Sequence, residues 1–295
     1  MENLDIKVKE IEDVIYEYLP KEEGFQKTVI EAMNYSMMAG GKRIRPLLME
    51  QTYRLFADNP FENSSLKAFM AAIEMIHTYS LVHDDLPAMD DDDFRRGRKT
   101  THIVYGEAMA ILAGDGLLNY AYEVAMKAFE KCDNVSNAIE AMKVLTRKPG
   151  LYGMLGGQAV DVENDDKSLD KETLDFIYEL KTGALIEASM MIGAIIGGAD
   201  TNQIELIEQA AKKIGMAFQI QDDILDVTSS TIELGKPVNS DEKNNKTTYV
   251  TIYGVEEASK LVKKYSDEAI DLLSQMPVKN DFLNELIMWM VYRKK

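Results

Sequence analysis

The sequence is poor in cysteine and histidine, the side chains that build many nucleophilic centres and soft-metal sites. Cys132 is the only cysteine, and three histidines occur in 295 residues. A lone cysteine excludes an intramolecular disulfide and is typical of a reducing compartment. The sequence indicates no Ser/His/Asp or Cys/His triad. We therefore expect the chemistry to come from other side chains.

Positive charge and long apolar runs are also scarce. The net charge is −17, which disfavours nonspecific nucleic-acid binding and requires local basic clusters to hold any anionic substrate. The longest apolar stretch, residues 188–199, is too short to span a bilayer. The N-terminus has no apolar core of signal type. These features predict a cytoplasmic protein without a membrane span.

Strand-like alternation is rare, and no strand–helix repeat stands out. Apolar residues recur at helical spacing instead, and 46% of the residues are apolar, enough for a large core. We predict one all-α domain, residues 1–295, with a dozen or so helices. Two of these helices, 106–129 and 184–198, are rich in Met, Ala and Gly. They are expected to offer more apolar surface than one core absorbs.

One stretch is unusually dense in charge. Six aspartates lie between residues 84 and 93, and four basic residues follow between 95 and 99. A bound multivalent cation would relieve the repulsion, and oxygen ligands without Cys or clustered His favour magnesium or calcium over zinc. The basic residues indicate an anion at the same place, so the pattern favours a metal-bridged phosphate. A solvated acidic loop is the alternative.

The spacing of these acids predicts a break in the helix that carries them. Asp84 and Asp90 are six residues apart and would face opposite sides of a straight helix. Pro87 is expected to end the helix and to let Asp90 return towards Asp84. His77 lies seven residues before Asp84, close to the same face, and is expected to contact a ligand.

A second acidic motif lies in an otherwise apolar helix. Asp222 and Asp226 are four residues apart, which places both carboxylates on one face of a helix. Buried, unpaired carboxylates are costly, so these positions indicate a function. We expect the fold to bring the two acidic motifs face to face across a cavity.

Basic and polar residues interrupt the apolar pattern at three further places. Lys42, Arg43 and Arg45 are predicted to lie at a helix N-terminus, where backbone N–H groups attract anions, although a basic surface cap is an alternative. Lys181 and Thr182 interrupt a second apolar stretch. The polar residues 229–246 could form a lid beside the acidic site.

Six of these motifs together resemble the trans-isoprenyl diphosphate synthases, and within them the bacterial farnesyl diphosphate synthases. They are G-G-K-R-I-R-P at 40–46, D-D-L-P-A-M-D at 84–90, R-R-G at 95–97, G-G-Q-A-V-D at 156–161, K-T-G at 181–183 and Q-D-D-I-L-D at 221–226. The resemblance covers nearly the whole chain. It implies an isoprenoid synthase-type helical bundle around a deep central cavity, a homodimer, and three Mg²⁺ ions per active site, with Mn²⁺ as a substitute.

The resemblance also implies a role for each matching residue. It assigns catalytic roles to Asp84, Asp85, Asp90, Arg95, Lys181, Asp222 and Asp223, and metal binding to Asp84, Asp90, Asp222 and Asp226. The isopentenyl diphosphate pocket corresponds to Lys42, Arg45, His77 and Arg96. The allylic diphosphate site corresponds to Arg95, Lys181, Thr182, Gln219, Lys236 and Lys246. The implied reaction joins isopentenyl diphosphate to an allylic diphosphate.

Product length is expected to depend on two residues below the first acidic motif. Tyr79 lies five residues before Asp84, about 7.5 Å down the helix axis, where its rigid ring can close a channel for the growing tail. Ser80 is small and leaves room for the growing tail. This combination resembles the bacterial farnesyl type and implies a fifteen-carbon product. Alternatives are a geranylgeranyl diphosphate synthase, a class I terpene cyclase or a noncatalytic partner subunit.

Overall fold

The computed structural model describes residues 4–132, 134–165, 167–228 and 247–292. Within these ranges the chain is helical almost throughout, as the sequence predicts, and the only strands are two residues long. Lys236, Lys246 and the predicted lid, residues 229–246, lie outside the described residues.

The described chain forms two compact units. The first comprises residues 2–50 and 59–138, and the second comprises residues 51–58 and 139–295. Each is described separately below. The prediction of a single domain over 1–295 stays a prediction.

The first unit is built around the buried helix α4. Its elements are α1 (Leu4–Glu17), α2 (Lys27–Met37), α3 (Ile44–Tyr53, whose last residues belong to the second unit), α4 (Ser64–Asp84), β1 (Phe94–Arg95), β2 (Arg98–Lys99), α5 (Thr101–Tyr105) and α6 (Glu107–Met126). The Asn63 side chain caps α4 by accepting the backbone N–H of Leu66 at 2.9 Å. α4 is apolar on nearly all sides and packs along α6. The first acidic motif therefore begins where a core helix ends.

The second unit is built around α11. Its elements are α7 (Val135–Arg147, which begins in the first unit), α8 (Met154–Glu163), α9 (Lys171–Ile177), a π-helical segment (Tyr178–Gly183), α10 (Ala184–Gly197), α11 (Thr201–Thr228), α12 (Tyr249–Leu273) and α13 (Asp281–Val291). α11 packs against α10, α12 and the π-helical segment. The Asp170 side chain caps α9 by accepting the Thr173 N–H at 2.8 Å.

Exposed apolar surface is expected on helices 106–129 and 184–198, but the structure has it on only one of them. Every residue of α10 from Ala184 to Ile195 is buried within the chain. α6 exposes Ile111, Leu112 and Met126 instead. The expectation for residues 184–198 is therefore wrong, because that helix is a core element of the second unit.

One apolar segment is longer than the sequence analysis expects. Because α9, the π-helical segment and α10 continue without a break, Lys171–Gly197 is long and apolar enough to cross a membrane by length and composition alone. However, 72% of its apolar window is buried inside the protein, as in a core helix of a globular protein.

Candidate active site

The first acidic motif folds back on itself at the end of α4. Asp84 is the last residue of the helix, and the backbone N–H of Asp90 donates to the Asp84 carbonyl oxygen at 2.8 Å. Residues 86–89 form the turn between them, so Pro87 breaks the helix and Asp90 returns to Asp84 as predicted. Asp84 is half-buried, and Asp90 is exposed.

Asp85 positions an arginine of the following hairpin. Its carboxylate is 4% exposed, and one oxygen accepts hydrogen bonds from Arg95 Nε at 2.7 Å and from Arg95 Nη2 at 2.6 Å. Burial raises the pKa of Asp85 above its ordinary value, although the hydrogen bond from Arg95 opposes the change. Arg95 is thereby fixed beside the first acidic motif.

The hairpin that carries Arg95 and Arg96 is not predicted from the sequence. β1 and β2 pair Phe94 with Lys99 and Arg95 with Arg98. The turn residues Arg96 and Gly97 have φ values of 53° and 76°, which is the requirement of a type I′ turn. The glycine after Arg96 was the available signal, but two-residue strands have no periodicity to detect.

The glycines of the G-G-K-R segment let Arg96 approach the backbone. Arg96 Nη1 donates to the Gly40 carbonyl oxygen. Gly41 has a φ of 135°, and a Cβ atom built on it would lie 2.5 Å from Arg96 Nη1. A side chain at Gly41 would therefore displace the guanidinium of Arg96.

Arg43 does not face an anion site, contrary to the prediction for the basic cluster. Its side chain is buried and donates to Glu74 Oε1 at 2.9 Å, to Glu12 Oε1 at 3.2 Å and to the Met37 carbonyl oxygen at 2.7 Å. Arg43 is therefore structural, because a buried guanidinium requires these partners. The exposed Lys42 and the half-buried Arg45 flank it in the sequence.

His77 lies among arginines, where protonation is unfavourable. Burial and the charges of Arg45, Arg96, Arg95 and Arg43 lower the pKa of His77 well below its ordinary value. Burial also lowers the pKa of Arg45 to about 10, with Arg96 adding to the effect and Glu74 opposing it. Arg45 Nε is buried without a hydrogen-bond partner. Such crowded, desolvated cations form a region that a bound anion would stabilise.

Tyr79 and Ser80 lie in the last turns of α4. The Tyr79 ring is buried and makes an edge contact with the His83 ring, with 5.8 Å between centroids. Burial raises the pKa of Tyr79 to about 12. His83 Nε2 lies 3.1 Å from the Ile111 carbonyl oxygen, so this face of α4 is turned towards α6. The Ser80 hydroxyl donates to the His77 carbonyl oxygen at 2.9 Å.

In the second unit, the K-T-G segment is π-helical and tightly packed. A Cβ atom on Gly157 of α8 would lie 2.3 Å from the Lys181 backbone nitrogen. A Cβ atom on Gly215 of α11 would lie 2.9 Å from the Gly183 Cα atom. These two glycines therefore let both helices approach the segment closely. Single π-turns within α-helices occur frequently at functional sites.

The polar side chains of this segment contact α8 and α11. Lys181 Nζ donates to Asp161 Oδ2 at 2.6 Å, and the Thr182 hydroxyl donates to Gln219 Oε1 at 2.8 Å. All four residues line a solvent-open pocket, together with Tyr178, Asp223 and Thr248. The structure thus brings together Lys181, Thr182 and Gln219, three of the residues predicted to bind the allylic diphosphate.

The second acidic motif lies on α11, as predicted, but its three acids differ. Asp222 is half-buried, and Asp226, one turn further on, is buried. Asp223 is 3% exposed and accepts hydrogen bonds from the Tyr178 hydroxyl and the Tyr249 backbone N–H. Its environment therefore indicates a positioning role, which the spacing of the motif did not show.

The donor set fits magnesium in each unit. The acids at 84, 90, 222 and 226 supply only carboxylate oxygens, the ligands that hard cations prefer. Within the described ranges, no three His, Cys, Asp or Glu side chains are gathered closely enough to hold a metal by themselves. Mg²⁺ typically uses one or two carboxylates together with waters and substrate phosphates, so this arrangement fits that ion.

Comparison with known proteins identifies the family to which the chain belongs. Residues 26–285 match the family model described as Polyprenyl synthetase. The chain is 46% identical over 239 residues to a farnesyl diphosphate synthase from Geobacillus stearothermophilus, covering 81% of this chain and 79% of that protein. It is 41% identical over 260 residues to a geranylgeranyl diphosphate synthase from Cyanophora paradoxa, covering 88% and 85%.

A solved structure supports the same assignment. A geranyltransferase from Helicobacter pylori, complexed with magnesium and isoprenyl diphosphate, superposes with a TM-score of 0.84 at 30% identity, covering 99% of this chain and 97% of that chain. The protein belongs to the polyprenyl synthetase family and has its all-α isoprenoid synthase fold.

The environment of His77 predicts a pH-dependent stability. Because the folded pKa is far below the ordinary value of 6.5, the unfolded chain binds more protons as the pH falls through that value. The contribution of His77 to stability is present above pH 6.5 and is lost below it, by up to about 1.4 kcal/mol per pH unit. Urea unfolding at pH 7.5 and 5.5 measures this, and His77→Gln should reduce the loss. Equal losses in the wild type and the variant would contradict the prediction.

Proposed function

We propose that the protein is a farnesyl diphosphate synthase. It condenses isopentenyl diphosphate with dimethylallyl diphosphate and then with geranyl diphosphate to give (E,E)-farnesyl diphosphate. The observation that carries this proposal is that each unit holds a cation beside its acidic motif. Arg95 is fixed by Asp85 of the first motif, and Lys181 is fixed by Asp161 and lines the same cavity as Asp223 of the second motif. The identity of 46% with a farnesyl diphosphate synthase over most of both chains supports it.

The acidic motifs act on the allylic diphosphate. Asp84 and Asp90 of the first unit, and Asp222 and Asp226 of the second unit, would hold Mg²⁺, with three ions per site and Mn²⁺ as a substitute. When bound, magnesium supplies neutralisation of the charge that develops on the departing diphosphate. The magnesium in the Helicobacter pylori structure supports this choice of metal.

Fixed cations complete the binding of the allylic substrate. Arg95 is held by Asp85, and Lys181 lies beside Thr182 and Gln219, so these groups present donors to diphosphate oxygens. Lys236 and Lys246, outside the described residues, keep the same proposed role. As the carbon–oxygen bond breaks, the electron pair leaves with the diphosphate and an allylic cation remains.

The isopentenyl substrate is bound by the basic residues of the first unit. Lys42, Arg45 and Arg96 would hold its diphosphate, and a neutral His77 would contribute a hydrogen bond rather than a charge. The double bond of this substrate attacks the allylic cation, and a proton is then lost, with the released diphosphate as its acceptor. No side-chain nucleophile is needed.

We also propose that the protein is a soluble homodimer with a cytoplasmic location. α5 and α6 expose Ile103, Val104, Ile111, Leu112 and Met126, an apolar surface that a second copy would cover. No nucleic acid or membrane is proposed as a partner.

Activity is tested with magnesium and the two five-carbon diphosphates. The purified protein should release diphosphate only when Mg²⁺ and both substrates are present, and chromatography should show a fifteen-carbon product. Asp84→Ala and Asp222→Ala should each reduce turnover by orders of magnitude with the far-ultraviolet circular dichroism unchanged, because each removes a proposed metal ligand. A near-normal rate in either variant would contradict the metal assignment.

Light scattering tests the homodimer. We expect a mass of twice the 33.3 kDa chain at micromolar concentration. Ile111→Glu, at a position that is 41% exposed on α6, should give a monomer, because it places a charge in the proposed interface. Ile252→Glu is the matched control, since Ile252 is 40% exposed on α12. Dimers in both variants would place the interface elsewhere.

Tyr79→Ala tests product length. Removing the buried ring next to α6 should lengthen the channel below Asp84 and shift the products from fifteen to twenty carbons or more. Ser80 retains its small side chain in this variant. Tyr35→Ala, on α2, is the control and should leave product length unchanged. If Tyr79→Ala still stops at fifteen carbons, the floor of the product channel is another residue and the chain-length proposal fails. The relative from Cyanophora paradoxa keeps a geranylgeranyl diphosphate synthase as the alternative function.

A further inference from the structure

The middle acid of the second motif is held by hydrogen bonds from two other elements of its own unit. The Tyr178 hydroxyl lies 2.9 Å from each oxygen of the Asp223 carboxylate, and the Tyr249 backbone nitrogen lies 2.9 Å from Oδ2. Asp223 is 3% exposed, so these bonds are largely shielded from water, which strengthens them. The carboxylate is therefore directed at protein donors, whereas its neighbours Asp222 and Asp226 are the predicted metal ligands.

Each of the two donors is the first residue of a helical element. Tyr178 begins the π-helical segment that carries Lys181 and Thr182. Tyr249 begins α12, whose first turn is fixed by a capping box between Thr248 and Thr251. One buried carboxylate thus joins α11, the π-helical segment and the start of α12.

A second layer of contacts surrounds this junction. The Tyr249 hydroxyl donates to Asp175 of α9, and Lys171 forms an ion pair with the same carboxylate. The rings of Tyr178 and Tyr249 lie 5.7 Å apart. Tyr249 is therefore constrained in position by α9 as well as by Asp223, and its ring packs against that of Tyr178.

The π-helical segment depends on such support. A π-turn places one extra residue in the helix and persists only where surrounding contacts hold it. Gly157 and Gly215 let α8 and α11 approach the backbone of the segment. The Tyr178–Asp223 bond adds a directional link, which fixes the start of the segment relative to α11.

We propose that Tyr178 and Asp223 are a positioning pair that sets the register between Lys181 and Thr182 and the two metal-binding acids on α11. Asp223 then acts through its donors and not as a magnesium ligand. This inference rests on the proposed function, because the register matters when one diphosphate is bound by both the cations and the metal.

Tyr178→Phe is the direct test, because it removes one hydroxyl and keeps the ring. The KM for the allylic diphosphate and the Mg²⁺ concentration for half-maximal rate should each rise roughly tenfold, as for other groups that orient ligands. The KM for isopentenyl diphosphate should stay within about twofold, because its proposed pocket lies in the first unit.

Two further experiments distinguish a positioning role of Tyr178 from a general structural defect. Tyr253→Phe is the matched control, because its ring also packs against Tyr249 but is 39% exposed, and its kinetics should equal those of the wild type. Calorimetric titration with Mg²⁺ and inorganic diphosphate should show weaker binding to Tyr178→Phe than to the wild type. This readout needs no turnover, so it decides the inference even if the proposed reaction fails.

Specific outcomes would overturn the positioning pair. One is unchanged Mg²⁺ dependence and unchanged diphosphate binding in Tyr178→Phe. Another is an equal rise in both Michaelis constants, accompanied by a lower melting temperature, which would show that the hydroxyl only stabilises the fold.

Discussion

Compensation of buried charge is the constraint on which both units depend. A charged side chain inside a helical protein requires a partner, because desolvation costs several kcal/mol per ion. In the first unit Arg43 has Glu74, and Asp85 has Arg95. In the second unit Lys148 lies between Glu187 and Glu208, and the half-buried Lys181 is paired with Asp161. These pairs fix where the ends of helices and the hairpin lie, and so they set the positions of the groups proposed to bind substrate.

Close backbone approach is the second requirement, and glycine meets it at defined places. At Gly41 the missing side chain admits the guanidinium of Arg96. At Gly157 and Gly215 it admits the backbone of the π-helical segment. In both units, therefore, a cation reaches its position because a glycine on a neighbouring segment leaves space for it. The charge determines which side chain is needed, and the glycine determines how close it can come.

Local sequence signals predict the parts of this arrangement that depend on local structure. Helical periodicity gives the all-α fold, Pro87 gives the return of Asp90 to Asp84, and the four-residue spacing of Asp222 and Asp226 gives their place on one helix. Long-range partners are different. Arg43 meets a glutamate 31 residues away, and Asp223 meets a tyrosine 45 residues away. A basic residue at a helix N-terminus can point outwards to an anion or inwards to an acid, and composition does not distinguish the two.

The electrostatics of the chain explain why the residues proposed to bind anions must be so crowded. With a net charge of −17, the protein as a whole repels a diphosphate, and screening removes that field only beyond about 10 Å. Attraction must therefore be concentrated locally, and Arg45, Arg95 and Arg96 lie close enough for their charges to lower the pKa of His77. The same crowding is unfavourable in the unliganded site, because burial and neighbouring arginines lower the pKa of Arg45 and of Arg96. A diphosphate bound there, as proposed, would relieve this repulsion, so part of its affinity would come from repulsion already present in the free protein.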